Sequence, residues 1–289
     1  MSEKKTIFEQ FLAPISGWFV DWDKVRELNS SIHWESETDR LRQPNLTYPA
    51  YYQRQNFHGI EGGYLNASAA TSYDPITRYA LPPNETWVRE SVIHSIRARP
   101  RRILDLGCGT GSTTLMLKQA FPDAEVVGLD LSPYMLVMGD RKAREAGVEI
   151  AWVHAKAEAT GFDDESFDVV AASLLFHETP EAIARAILKE SYRLLRVGGE
   201  VLILDGHQHT LRDNPWMMDI FEEPYLQEYA RGSVDAWMGA AGFGAVQTEQ
   251  VWGLNQLTRG VKPIAPGEPT ATEAEPDRTE PTWASAPSY

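Results

Sequence analysis

The residues best suited to chemistry stand close together: Asp105, Gly107, Cys108, Gly109 and Gly111, within the run Arg102-Ile103-Leu104-Asp105-Leu106-Gly107-Cys108-Gly109-Thr110-Gly111. The apolar residues around Asp105 predict a buried strand that carries a carboxylate to its end. The alternating glycines predict a turn whose backbone takes conformations closed to other residues and passes within contact distance of a ligand, because no Cβ intervenes. Strand, glycine turn and helix in that order make a nucleotide-type site at the carboxyl edge of a parallel sheet. Spacing narrows the ligand. Dinucleotide sites use G-x-G-x-x-G or G-x-G-x-x-A, whose last small residue allows close helix–strand contact. Here the spacing is G-x-G-x-G, and Ser112 stands where that small residue belongs. Asp105 also sits badly beside a pyrophosphate and well beside a cation.

A second acid follows in register. Glu125-Val126-Val127-Gly128-Leu129-Asp130 is another short apolar run ending in a carboxylate. Asp130 lies roughly 20 residues past the loop, the spacing at which an acid reaches ribose hydroxyls. Ser132 and Pro133 predict a helix start, as N-cap and first helical residue. S-adenosyl-L-methionine, which carries an ammonium and a sulfonium, is a ligand of the kind that Asp105 suits.

The segment D-L-G-C-G-T-G at 105–111 closely resembles the glycine loop of class I S-adenosylmethionine-dependent methyltransferases, and D-L-S-P-Y-M-L at 130–136 resembles their post-strand segment. Ala155 to Phe162, ahead of Ser166-Phe167-Asp168, is similar to their G-D-A-E-x-L-P-F-x-x-x-S-F-D pattern. In that family the Asp of the pattern binds the adenine amino group. The matching position here is Lys156, which has only donors, so adenine is left to the Ala157 backbone, Glu158 or apolar walls. A fourth match is the strand Phe167 to Ser173 running into Leu174-Leu175-Phe176-His177-Glu178-Thr179-Pro180, where the family's active-site face lies. Tyr73-Asp74 resembles the Y-D pair of quinone-type members, whose tyrosine lies close to the donor. The resemblance covers about Tyr73 to Val251 and is nearest to the small-molecule branch that includes the ubiquinone and menaquinone methyltransferases. It implies a Rossmann-like α/β fold: a seven-stranded, mostly parallel sheet with an antiparallel last strand, plus an N-terminal helical cap. It implies S-adenosyl-L-methionine as cofactor, with Asp105 and the loop residues Gly107, Cys108, Gly109 and Gly111 at the methionine part and Asp130 and Leu131 at the ribose. Ala157, Glu158, Ser173 and Tyr73 complete the expected set.

Methyl transfer from a sulfonium is an in-line displacement, so the protein mainly aligns donor and acceptor and excludes water. A phenol, enol or carbon acid additionally needs a base. His177 is the expected base, since an imidazole titrates near neutral pH; the plainer reading is that His177 and Glu178 pack or cap at a strand end. Asp205, His207 and His209 match a metal triad by type, but loop hydrogen bonding explains the strand-end acid better and no metal is expected. Glu222 and Glu223 read as a solvated helix face or as contacts for a cationic acceptor.

Composition bounds the rest. The 289 residues suffice for a full α/β core. A formal net charge of −14 argues against a nucleic-acid partner, which needs a basic face. A single cysteine and no apolar run of membrane-spanning length fit a cytoplasmic protein that does not cross a membrane. The expected divisions are an aromatic-rich cap at 1–90, a cofactor-binding core at 91–262 and a disordered tail at 263–289 rich in Pro, Ala, Glu and Thr. The cap includes Phe8, Phe11, Trp18, Phe19, Trp34, Tyr51, Tyr52, Phe57, Tyr64 and Tyr73, with His58-Gly59 in a lid turn. Helices are expected at about 84–98, after Thr179 as cap until Gly198-Gly199, from 213 to 231, and from Ser233 to Ala241. Strands are expected at Val201–Asp205, Ala245–Trp252 and Leu254–Val261. The expected partner is a small, apolar or aromatic methyl acceptor. The competing readings are a nicotinamide-dependent oxidoreductase on a similar sheet and a non-catalytic S-adenosylmethionine-binding protein.

Overall fold

A computed structural model describes residues 20–264 apart from 54, 58, 59, 61, 81, 82 and 222. The expectations for Phe8, Phe11, Trp18, Phe19, His58-Gly59, Glu222 and nearly all of the 263–289 tail therefore lie outside the described residues.

Seven strands form one sheet in the order β3-β2-β1-β4-β5-β7-β6: β1 Arg102–Leu106, β2 Glu125–Asp130, β3 Ala151–His154, β4 Phe167–Ser173, β5 Leu195–Gly206, β6 Gly244–Val251 and β7 Asn255–Val261. β1 pairs in parallel with both β2 and β4, and β7 runs antiparallel to both β5 and β6. The strand order reverses direction at β1 and β4, so their carboxyl ends open a crevice there, the place where open α/β sheets bind ligands. The alternation that makes β1 a strand also divides the core. Leu104 and Leu106 join the apolar cluster on one face with Val127, Leu129, Val170 and Ile203, while Ile103 joins Val126, Val169, Ala171 and Leu202 on the other. Asp105 shares the face of Ile103.

Twelve α-helices are described: α1 Trp22–Ser31, α2 Trp34–Leu41, α3 Ala50–Gln53, α4 Ala67–Ala80, α5 Glu85–Ser95, α6 Ser112–Ala120, α7 Pro133–Glu145, α8 Glu181–Leu194, α9 Gln208–Asp213, α10 Pro215–Phe221, α11 Leu226–Arg231 and α12 Val234–Ala241. Ser132 caps α7 through a bond from the Met135 amide, and Asn84 caps α5 through one from Trp87. The aromatic cap packs on α7: Phe57, Tyr64, Ala69 and Ala70 bury against Met135 and Met138, with Trp34, Tyr52, Tyr73 and Tyr225 around them.

Three sequence expectations are corrected. Thr179 does not cap α8; its hydroxyl donates to the Phe176 carbonyl at 3.1 Å, and Pro180 precedes the helix with no side-chain cap. Gly198 and Gly199 do not end that helix. It stops at Leu194, and both glycines fall within β5, where Gly198 N donates to Lys262 O and Lys262 N to Gly199 O, each at 2.9 Å. The helix from 213 to 231 is broken into α10 and α11; Pro224 lies in the gap and cannot supply the amide a continuous helix needs.

Candidate functional site

The glycine loop closes the gap between β1 and α6. Gly109 has φ +53°, and in that conformation its amide donates to Asp130 Oδ2 at 2.8 Å. Gly111, at φ +76°, ends the loop, and a Cβ there would lie 2.5 Å from the Trp152 ring. That ring also occupies the space a side chain would need at Gly128 and Gly139. One tryptophan from β3 thus packs where the loop, β2 and α7 approach most closely.

A cleft at the carboxyl ends of β1, β2 and β4 collects most of the residues expected from sequence. Gly107, Cys108, Gly109, Asp130, Leu131, Ala157, Ser173 and Tyr73 all line it. Asp105, Gly111, Glu158 and His177 do not. Asp105 lies behind the loop, 1% exposed, accepting from Thr114 Oγ1 at 2.6 Å. Gly111 faces Trp152. Glu158 accepts from Tyr51 Oη at 3.1 Å on each of its oxygens, which joins the cap to the β3–β4 connection. His177 is turned to Asp205: Nδ1 lies 2.7 Å from Asp205 Oδ1, while the Phe176 amide donates to Oδ2 at 2.8 Å. Its neighbour Glu178 is the one that reaches the cleft wall, where it accepts from Tyr64 Oη at 2.7 Å. Lys156 makes a short antiparallel bridge with Ala159.

Burial sets the charge states. Desolvation pushes the Asp105 carboxyl up to about 7 against the Thr114 hydrogen bond. It pushes Asp130 up to about 6 against bonds from the Ser132 and Gly109 amides. Burial opposes the charge on His177 as well, but the Asp205 carboxylate outweighs it and raises the imidazole to about 9. Desolvation drives Tyr64 and Tyr73 well above the ordinary phenol range, so both are neutral donors.

Sequence reading missed Arg89. It is 5% exposed on α5, lines the cleft, and is held by Glu85 Oε1 and Thr113 Oγ1, each at 2.8 Å. A buried arginine on an otherwise ordinary amphipathic helix carries no pattern that marks it. Tyr51, Tyr52 and Tyr64 also line the cleft; the aromatic richness of the cap was the only signal for them. Asp74 holds the loop from the side, accepting from Thr110 Oγ1 and from Lys142 Nζ.

The donor set fits S-adenosyl-L-methionine. Asp105 Oδ1 is buried behind the loop with no hydrogen-bond partner, an acceptor in need of a donor. Ser173 Oγ is likewise buried and unpartnered at the cleft wall. Asp130 keeps free lone pairs for sugar hydroxyls, since each oxygen accepts one amide proton. Among the described residues no three His, Cys, Asp or Glu side chains cluster as metal ligands. Asp205, His207 and His209 serve separate partners, the last two being Thr210 and Asp213. Among the described residues no helix is long and apolar enough to cross a membrane.

Comparison with known proteins agrees with this geometry. Residues 103–199 match a family model described as a methyltransferase domain. The demethylmenaquinone methyltransferase of Thermus thermophilus is 38% identical over 137 residues, which are 47% of this chain and 61% of the relative. The one from Anoxybacillus flavithermus is 34% identical over 127 residues, 43% of this chain and 53% of that one. The chain thus aligns with less than two thirds of either relative. Phosphoethanolamine N-methyltransferase 2 of Haemonchus contortus, solved with phosphomonomethylethanolamine and S-adenosylhomocysteine, shares the fold at a TM-score of 0.51 and 16% identity, over 68% of this chain and 56% of that one.

Proposed function

We propose that this chain transfers a methyl group from S-adenosyl-L-methionine to a small molecule. The observation that carries the reading is the convergence on one cleft of Asp130, the Gly107–Gly109 backbone and the aromatic cap, with the orphaned Asp105 oxygen beneath. The match of residues 103–199 to a methyltransferase domain supports it over the nicotinamide and non-catalytic alternatives.

In this reading Asp105 takes the donor's ammonium and Asp130 its ribose hydroxyls. Arg89 supplies the positive charge that a carboxylate end needs. Ala157 and Leu131 form apolar walls for the adenine, in place of the acceptor that Lys156 cannot supply. Tyr51, tied to Glu158, closes the cap over the site and keeps water out, which strengthens every charge interaction inside. When bound, the cofactor supplies an electrophilic methyl carbon; the protein supplies alignment. His177, already an imidazolium at neutral pH and fixed by Asp205, is poorly placed to take a proton. Glu178, at the cleft wall, takes the role first expected of His177, and the His177–Asp205 pair positions it.

The relatives' names point to a quinol-like acceptor, while the cleft requires only a small, partly aromatic one. Incubation of the purified chain with methyl-labelled donor and a panel of small quinols, phenols, amines and thiols tests the proposal. Label in any acceptor, with S-adenosylhomocysteine released in equal amount, is the expected result. Binding of NAD without binding of the donor would overturn it.

A further inference from the structure

We infer that His154 is a positioning residue for the donor: its neutral imidazole fastens the aromatic cap to the strand end that carries Asp130. The inference rests on the methyl-transfer reading above. His154 ends β3, is 3% exposed, and is the register partner of Asp130 across the parallel pairing of β2 with β3. Its two ring nitrogens face two separate parts of the chain. Nδ1 accepts from the Gln43 amide at 3.0 Å. Nε2 stands 2.9 Å from the Leu131 carbonyl oxygen and 3.2 Å from Tyr48 Oη. A backbone amide only donates and a carbonyl oxygen only accepts, so Nδ1 carries the lone pair and Nε2 the proton. The tautomer is fixed from both sides.

Both ends of this tie bear on the cleft. Leu131 lines it beside Asp130, whose carboxylate accepts the Gly109 and Ser132 amides. Gln43 and Tyr48 lie between α2 and α3, and α3 brings Tyr51 and Tyr52 to the cleft wall. One rung of the sheet therefore supplies both the acid read as the ribose contact and the anchor for two aromatic walls. The surroundings keep the ring neutral. Burial opposes its charge, the Leu131 carbonyl favours it and Arg42 repels it, which leaves the imidazole below its ordinary 6.5. The charges on the helices packed there are spent on one another: Arg40 of α2 pairs with Glu37 and with Asp140 of α7, which also takes Arg144. Lys142 of α7 pairs with Asp74. Burial raises the Tyr48 phenol, so it stays neutral. A proton on Nδ1 would remove the acceptor and set one N–H against another. The Gln43 tie is thus made above 6.5 and is lost as pH falls through the depressed value.

The test uses the full chain and two readouts: stopped-flow dissociation of S-adenosylhomocysteine, and hydrogen exchange of residues 42–49 without ligand. His154→Phe keeps a ring and loses both hydrogen bonds. At pH 8 it should speed exchange at 42–49 about tenfold, with β1 unchanged, and speed dissociation about tenfold. His154→Gln keeps an acceptor and a donor side by side but takes up no proton, so at pH 8 its dissociation should stay within about threefold of the unaltered chain. Acidification to pH 5.5 speeds dissociation in both through Asp105 and Asp130. The unaltered chain should accelerate about threefold further than His154→Gln, the difference being the ring's own titration. An equal pH dependence in the two would overturn the inference. So would unchanged exchange at 42–49 in a folded His154→Phe, or dissociation no faster there than in His154→Gln. If His154→Phe does not fold, the pH comparison with His154→Gln decides alone. Absence of S-adenosylhomocysteine binding would instead overturn the methyl-transfer reading, and exchange at 42–49 would still decide whether His154 holds the cap.

Discussion

His177 Nδ1 and Asp205 Oδ1 stand 2.7 Å apart across 28 residues of chain, joining the loop after β4 to the end of β5. Asp205 is buried, the His177 side chain is 13% exposed, and Asp205 also accepts the Phe176 amide at 2.8 Å. It therefore sets the loop that carries Glu178 into the cleft. The imidazole is raised to about 9 from an ordinary 6.5. A group whose pKa is raised on folding contributes stability that is fully present below its unfolded value and is lost as pH rises through its folded value. Unfolding in urea should thus show stability falling between about pH 7 and pH 10. Asp205→Asn should flatten that fall and remove about 3–5 kcal/mol at pH 7, because a buried charge is left without its partner.

The two donor-facing acids titrate lower. Burial raises Asp105 to about 7 and Asp130 to about 6, from 3.8. For both, the stabilising contribution is present below 3.8 and is lost as pH rises through the folded values. The ligand-free chain should therefore lose stability between about pH 4 and pH 7. Donor binding runs the opposite way, because a cation needs the ionised carboxylates. Calorimetry should find donor affinity about tenfold weaker at pH 5.5 than at pH 8, a change of one pKa unit being a factor of ten.

Asp105→Asn separates stability from binding. It replaces a carboxylate that is costly to bury with a neutral amide that can still bond to Thr114 Oγ1. At pH 8 the melting temperature of the ligand-free variant should rise, while donor affinity falls about 10–100-fold because the charged hydrogen bond is gone. A melting temperature that fell together with affinity would assign Asp105 to the fold alone.

Tyr51→Phe removes the one phenolic proton that the two Glu158 oxygens share, each at 3.1 Å from Oη. A hydrogen bond to a charged group contributes about 1.5–3 kcal/mol. The cap should open more readily, so stopped-flow measurement should show donor dissociation accelerated about tenfold or more, with little change in the melting temperature.

Gly111→Ala tests the packing under the loop. The new Cβ would meet the Trp152 ring at 2.5 Å, in a backbone conformation of φ +76° that alanine rarely adopts. Overpacking and strain of this kind cost about 1–3 kcal/mol each. A loss of about 2–6 kcal/mol in chemical denaturation is expected, and Trp152→Ala on the same background should recover part of it by relieving the overlap.

Much of this was legible in the sequence for a local reason. β1, the glycine loop and β2 are specified by contiguous residues, so Asp105, Gly109 and Asp130 could be placed from pattern alone. The antiparallel last strand was legible too, because the β6 and β7 runs are separated by a short turn. What escaped depends on residues far apart in the chain. Whether His177 or Glu178 faces the cleft is decided by Asp205, which is invisible from the run itself. Arg89 is buried because Glu85 and Thr113 receive it, and only one of those lies on its own helix. Gly198 and Gly199 read as a helix stop, yet pairing with Lys262 draws them into β5.

Whether this cleft holds a sulfonium donor is the most direct question to put to the protein. Titration calorimetry of the folded chain with S-adenosyl-L-methionine and with S-adenosylhomocysteine answers it. We expect saturable one-to-one binding of both, weakened about tenfold or more in Asp130→Ala, where the ribose has no carboxylate to bond. No heat of binding for either compound from a chain that melts cooperatively, or affinity unchanged in Asp130→Ala, would contradict the assignment.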